Sequence, residues 1–188
     1  MLILIVGLLL FLGIHMVRVV APAWREARIA AMGEGRWKGT YSLVSAAGLV
    51  LIIWGYYLAR ADAPILYIQP DWFRGFAFLA MPIALIIFFV SDFRAGHMKR
   101  ALKHPMLIGT ILWSGIHLIG NGDLASVLLF GGFFVWAVVD LVSALRRPYT
   151  APENLVLWPD FASITLGLVV TVLIVMWLHG WLFGVPLS

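Results

Sequence analysis

The sequence predicts an all-α protein, a polytopic membrane helix bundle of about six transmembrane helices with both termini outside. Three observations carry this reading. The chain is 63% hydrophobic and only 12% charged, whereas a soluble domain is charged at about a quarter of its positions. Apolar stretches of spanning or near-spanning length recur from end to end. Lys and Arg gather in alternate loops. Residues 1–188 read as one integral membrane domain, with no length left for a separate soluble one.

The first apolar stretch runs from Leu2 to Val20, with an extension to Trp24 left open. It lacks the basic start of a secretory signal, although Ala21-Pro22-Ala23 loosely imitates a cleavage site, and it reads as a retained helix. The others are Tyr41–Leu58, Phe73–Val90, Pro105–Ile119, Leu124–Leu145 and Phe161–Val185. The fourth is short for a full crossing, which suits a position inside the bundle or a locally thinned bilayer. Pro82 falls inside the third stretch, where a kink is expected. Pro64, Pro70 and the segment Pro152–Pro159 mark loops. Trp24, Trp37, Trp72 and Trp158 fall near helix ends, as interfacial aromatics do.

Orientation follows from the basic residues. The loop after the first helix carries Arg25, Arg28, Arg36 and Lys38, with Arg18 just inside the helix. The loop after the third carries Arg94, Lys99, Arg100 and Lys103, and the loop after the fifth carries Arg146 and Arg147. The opposite side has only Arg60 and Arg74. The rich side faces the cytoplasm, which places both termini outside, with lipid as the surrounding partner. This pattern also accounts for the pI near 9.8 without nucleic acid as a partner. There is no cysteine, which removes disulfides, thiolate ligands and thiol nucleophiles. A phosphate-binding Gly-rich loop, a paired-carboxylate motif, HExxH and a Ser–His–Asp spacing are likewise missing from the sequence.

The most informative stretch is HPMLIGTILWSGIHLIGNGD, His104 to Asp123. His104-Pro105 opens a helix, since proline lacks an N–H and suits the first turn. Gly120-Asn121-Gly122 closes it, and Asp123 is placed to cap the next. Gly109, Trp113, His117 and Asn121 recur at spacings of four and form one stripe. That stripe is an odd surface to offer lipid and a reasonable one to offer a flat ligand.

Polar groups within a bilayer are costly and each asks for a reason. His15 lies well inside the first helix with Arg18 one turn on, His117 lies inside the fourth, and His179 in the outer part of the sixth. Neutral imidazole is a common axial ligand of haem iron. His15 and His117 are the deepest pair, Arg18 can pair with a propionate, and His179, which matches the depth of His117, is the alternative second ligand. The competing explanation is that each histidine only hydrogen-bonds a neighbouring helix. His104 and His117 stand 13 residues apart, roughly 20 Å along a helix, so they cannot share one iron. Asp140 reads as a buried partner of Arg146, Arg147 or Arg18, and Gly48, Gly55, Gly131, Gly132 and Gly167 as close-packing positions.

The run from Lys103 to Ser126, followed by Leu-Leu-Phe-Gly-Gly-Phe, resembles the NnrU family of bacterial membrane proteins. It also resembles the related 15-cis-zeta-carotene isomerases, whose pattern RHPQMVGQVIWxxAH is met here by His104, Pro105, Gly109, Trp113 and His117. An early element of those enzymes corresponds loosely to His15. The resemblance implies a haem b protein with ligands at His15 and His117, Trp113 and Arg18 near the cofactor, and cis–trans isomerisation of a lipophilic, carotenoid-like substrate. For the NnrU family itself it implies a place in nitrogen-oxide metabolism, which suits a non-enzymatic accessory or sensor as well as an enzyme. The His-Pro-x-x-x-Gly…Trp element is also similar to one in isoprenylcysteine carboxyl methyltransferases, which implies an S-adenosylmethionine site at His104. Those enzymes carry an acidic pair downstream; Arg146–Asp160 carries none, which argues against a methyltransferase.

Overall fold

The computed structural model describes residues 1–183, with side chains to Trp181. The regular secondary structure of the described residues is helical, with one isolated antiparallel bridge between Ile65 and Asp123. The helices are α1 (Leu2–Val20), α2 (Pro22–Met32), α3 (Glu34–Arg60), α4 (Phe73–Phe89), α5 (His97–Leu102), α6 (Pro105–Gly120), α7 (Leu124–Leu145), α8 (Trp158–Leu173) and α9 (His179–Phe183). A π-helical turn, Ile174–Leu178, joins the last two.

Among the described residues four stretches are long and apolar enough to cross a membrane: α1, α3, α7, and α8 continued to Trp181. The apolar helices α4 and α6 are shorter, at 17 and 16 residues, or about 25 Å against a hydrocarbon layer of about 30 Å. These long apolar helices identify a membrane protein. The expected sixth span is present from Trp158 on, and its expected end at Val185 lies outside the described residues.

The end of α1 meets the sequence expectation without the extension to Trp24, and two other boundaries differ. α1 stops at Val20, because Ala21 leaves the helical region and Pro22 starts a separate helix at its first position. The loops expected at 21–40 and 91–104 contain the short helices α2 and α5. α3 begins at Glu34 rather than Tyr41. Its added turns are polar and therefore invisible to hydropathy, but Glu34 suits the positive helix end and pairs with Lys38 at 2.8 Å, four residues on.

The chain forms two compact units. The first comprises Met1–Ile68 and Asn121–Trp136. Its frame is α1 against α3, and glycine makes the approach close. A Cβ on Gly48 would stand 2.7 Å from the backbone nitrogen of Phe11, and one on Gly7 would stand 2.6 Å from that of Ile52. Gly55 meets the backbone of Leu4 in the same way. With no hydrophobic drive between helices in lipid, such backbone proximity is what holds them. Gly132 of α7 faces only side-chain ends of Leu12 and Leu8.

The turn before α7 is pinned inside this unit. Leu66 N–H donates to the Gly122 carbonyl at 2.7 Å and Leu124 N–H to the Pro64 carbonyl at 3.0 Å. Tyr67 O–H donates to the Asn121 carbonyl at 3.2 Å. Burial, and then the Asp123 carboxylate, raise the pKa of the Tyr67 phenol above its ordinary value. Asp123 caps α7 as expected, accepting the Ser126 N–H at 2.9 Å and the Ser126 hydroxyl at 2.6 Å. Because that hydroxyl's hydrogen goes to the carboxylate, Tyr56 donates in turn to Ser126 Oγ at 2.9 Å.

The second unit comprises Gln69–Gly120 and the chain from Ala137 on. Here α4 is central. Gly109 of α6 lies against the backbone of Phe88, and Gly167 of α8 against that of Ile86. Phe73, Ala84 and Ile116 form the buried cluster, with Ala77, Ala80, Met81 and Trp113 around it. Asp140 pairs with Arg147 at 3.4 Å, one of the partners expected for it.

Candidate functional site

His15 is placed by α1 and ringed by aromatic side chains from three helices of the first unit. Phe11 stacks on it at 4.4 Å between centroids, Tyr41 meets it edge-on at 5.1 Å and Trp136 at 5.5 Å. Its Nδ1 lies 2.6 Å from the Phe11 carbonyl oxygen, one turn back. A carbonyl only accepts, so Nδ1 carries the hydrogen. In the neutral ring the lone pair is then on Nε2. Arg18, one turn further along α1, is exposed.

His117 repeats the device in the second unit. Its Nδ1 donates to the Trp113 carbonyl at 3.0 Å, and the Trp113 ring stands 5.3 Å from the imidazole. The same tautomer follows. Trp113 itself packs on the α4 cluster. Gly109 is the contact point with Phe88. The Gly109–Trp113–His117 stripe therefore has its inner part committed to helix packing and its outer part to the imidazole. Asn121, the fourth member of that stripe, belongs to the first unit, where its carbonyl holds Tyr67.

His179 opens α9, directly after the π-helical turn. It stands near His117 within the same unit. π turns widen a helix locally and are frequent at functional sites. Of the two companions expected for His117, His179 is therefore brought near it within one unit, and His15 is found in the other unit.

His104 and His97 belong to the basic end of the second unit. The His104 ring stands 6.0 Å from that of Tyr149, which also faces the Lys103 ammonium at 5.8 Å. Lys103 has a positive φ of 59°, a conformation that costs a non-glycine residue energy. The His97 and Met98 N–H groups donate to the two carboxylate oxygens of Asp160, at 2.9 and 3.1 Å. Asp160 caps α5 across a long sequence separation, with Gly96 leaving it room. Lys99 donates to the carbonyls of Ser91 and Phe93, at 2.8 Å each.

The donor set can be tested against the group the sequence implies. Among the described residues no three His, Asp or Glu side chains come together for a bare metal ion. A haem iron needs only one or two protein ligands, neutral imidazoles with a fixed tautomer. His15 and His117 each have that chemistry, so the residues fit a haem.

Sequence reasoning did not find the Asp160 cap or the Tyr56–Ser126–Asp123 chain. Asp160 sits in Trp-Pro-Asp before an apolar run and looks like the start of its own helix; nothing in its neighbourhood signals a partner 63 residues away. No curated protein and no solved structure matches the chain. The family model described as NnrU protein matches residues 3–187, nearly the whole chain, and the chain belongs to that family.

Proposed function

We propose that this NnrU-family protein is a six-span protein of the bacterial inner membrane, with both termini outside, that binds one haem b. His117 and His15 are the residues that would hold it. The observation that carries the reading is the shared Nδ1-to-carbonyl hydrogen bond at the two histidines, 3.0 Å at His117 and 2.6 Å at His15. It sets both rings to the tautomer a haem ligand uses and makes Nε2 more basic. When bound, haem would supply a one-electron couple and a coordination site for a small or lipophilic molecule. The chain's own part is to orient the two imidazoles and offer Arg18 to a propionate.

The reaction we propose is cis–trans isomerisation of a carotenoid-like, lipophilic substrate, on the strength of the resemblance in His104–His117. The second reading of the ligand set replaces His15 by His179. It is favoured by the nearness of His179 to His117 within one unit and by the π turn beside it. The competing function is a non-enzymatic accessory or sensor in nitrogen-oxide metabolism.

The test is an absorption spectrum of the protein purified in mild detergent, oxidised and then reduced. A Soret band with sharp reduced α and β bands is expected for a six-coordinate haem. No Soret band after added haem would leave the histidines as packing groups and favour the accessory reading. Incubation of the loaded protein with a cis-carotene and chromatography of the product then separates enzyme from sensor.

A further inference from the structure

α2 has no buried residue, yet its level is fixed. It starts at Pro22, directly after α1 ends at Val20 and Ala21 leaves the helix, and it stops at Met32, with Gly33 alone before α3 starts at Glu34. Both neighbours are long and apolar enough to cross a membrane. The apolar run of α3 begins at Tyr41, about 10 Å along the helix from Glu34. A helix tied this closely at both ends stays in the headgroup layer.

The side chains of α2 are sorted to suit that place. Arg25, Ile29 and Met32 are half-buried and form its inner face. Trp24, Ala27, Arg28 and Ala31 are exposed and share one flank. Glu26 is two residues from both Trp24 and Arg28, on nearly the opposite side of the helix. The flank is continuous with the start of α3. The Arg28 guanidinium stands over the Trp24 ring at 5.3 Å, that ring meets Trp37 edge-on at 6.0 Å, and the Arg25 guanidinium stands over Trp37 at 6.0 Å. Two guanidinium groups one turn apart are thus oriented by two indoles. Among the described residues neither pairs with a carboxylate, and the nearby Glu34 is taken by Lys38 at 2.8 Å.

We infer that this flank of α2 is a docking surface for an acidic phospholipid of the membrane surface, its phosphodiester accepting from the guanidinium N–H groups of Arg28 and Arg25. An indole face holds a guanidinium by its flat side and leaves the edge donors for a phosphate. Trp24, Ala27 and Ala31 give the glycerol region a shallow apolar seat. Charge decides the class of lipid. From Arg25 to Lys38 the chain carries four basic residues and two acidic ones, so a headgroup of net negative charge gains from the site, whereas a zwitterionic one brings its own cation to it. The inference is independent of haem binding, since none of these side chains belongs to the proposed ligand set.

The experiment is a titration of the full-length protein in mild detergent with dioleoylphosphatidylglycerol and, separately, dioleoylphosphatidylcholine, with bound lipid counted by native mass spectrometry. A saturable phosphatidylglycerol adduct, clearly preferred over phosphatidylcholine, is expected. Arg28→Gln and Arg25→Gln should each weaken it about fivefold. Arg94→Gln and Arg100→Gln, in the second unit, should leave the tightest adduct unchanged, and so should millimolar inorganic phosphate. Equal affinity for the two lipids, or equal losses from all four arginine variants, would overturn the inference and assign binding to net charge alone. Displacement by inorganic phosphate would overturn it in favour of a free-anion site. Depth gives a second reading that needs no arginine variant. The chain has no cysteine, so a spin label on Ala27→Cys, in vesicles containing phosphatidylglycerol, reports α2 alone. Shielding of the label from a water-soluble relaxation agent is expected, and full access to that agent would contradict the docking.

Discussion

The two compact units use the same device at their histidines and differ in helix length and in how their polar ends are held. His15 and His117 each give Nδ1–H to the carbonyl one turn back. Around His15 the frame is two long helices touching backbone to backbone through Gly7, Gly48 and Gly55. Around His117 the helices are shorter, they pack on α4, and a side-chain cap from Asp160 holds the polar end. The difference teaches where each unit is fragile. Both depend on glycines that tolerate no side chain, Gly7, Gly48 and Gly55 in the first and Gly109 and Gly167 in the second, and the second adds a few charged hydrogen bonds near its surface.

The largest expected effect is at the backbone contacts. Gly55→Leu drives a side chain into the Leu4 backbone and should cost about 3 kcal/mol or more, seen as a large fall in thermal midpoint in detergent. Gly132→Ala, which meets only the ends of Leu12 and Leu8, should cost far less. Equal losses at the two sites would break the claim that backbone proximity holds the first unit.

Asp160→Ala comes next. It removes the acceptor for two amides and should cost about 2 kcal/mol. Hydrogen exchange at His97 and Met98 should accelerate while α1 and α3 stay protected. Acceleration spread evenly over both units would deny the second its separate mode of stabilisation.

Ser126→Ala cuts the chain from Tyr56 to Asp123 and should cost about 1–2 kcal/mol, with a shift in tyrosine absorbance as Tyr56 loses its partner. Tyr67→Phe is the mildest, about 0.5–1 kcal/mol for one exposed hydrogen bond, and should be felt at the Asn121 turn only. A Tyr67 loss larger than that of Ser126 would reverse the order of importance drawn for this turn.

Much of this fold is legible in the sequence because lipid makes the signal simple. Apolar runs marked the four long helices and the two shorter apolar ones, and the start at Pro105, the stop at Gly120 and the cap at Asp123 follow from local chemistry. What hydropathy could not show was helix made of polar residues, namely α2, α5 and the first turns of α3. The histidines stood out because a polar group is conspicuous in an apolar run. Arg25 and Arg28 did not, because arginine near tryptophan is ordinary at the end of a membrane helix until the contacts between them are seen. Asp160 was hidden for the opposite reason: its local surroundings offered it a plausible but different role.

The most direct test of the haem assignment is the haem content of His117→Ala against the wild type, measured by pyridine haemochrome on protein of known concentration. The account predicts about one haem per wild-type chain and a loss of most of it in the variant, because the imidazole that Trp113 orients is gone. Full retention of haem in His117→Ala would contradict it.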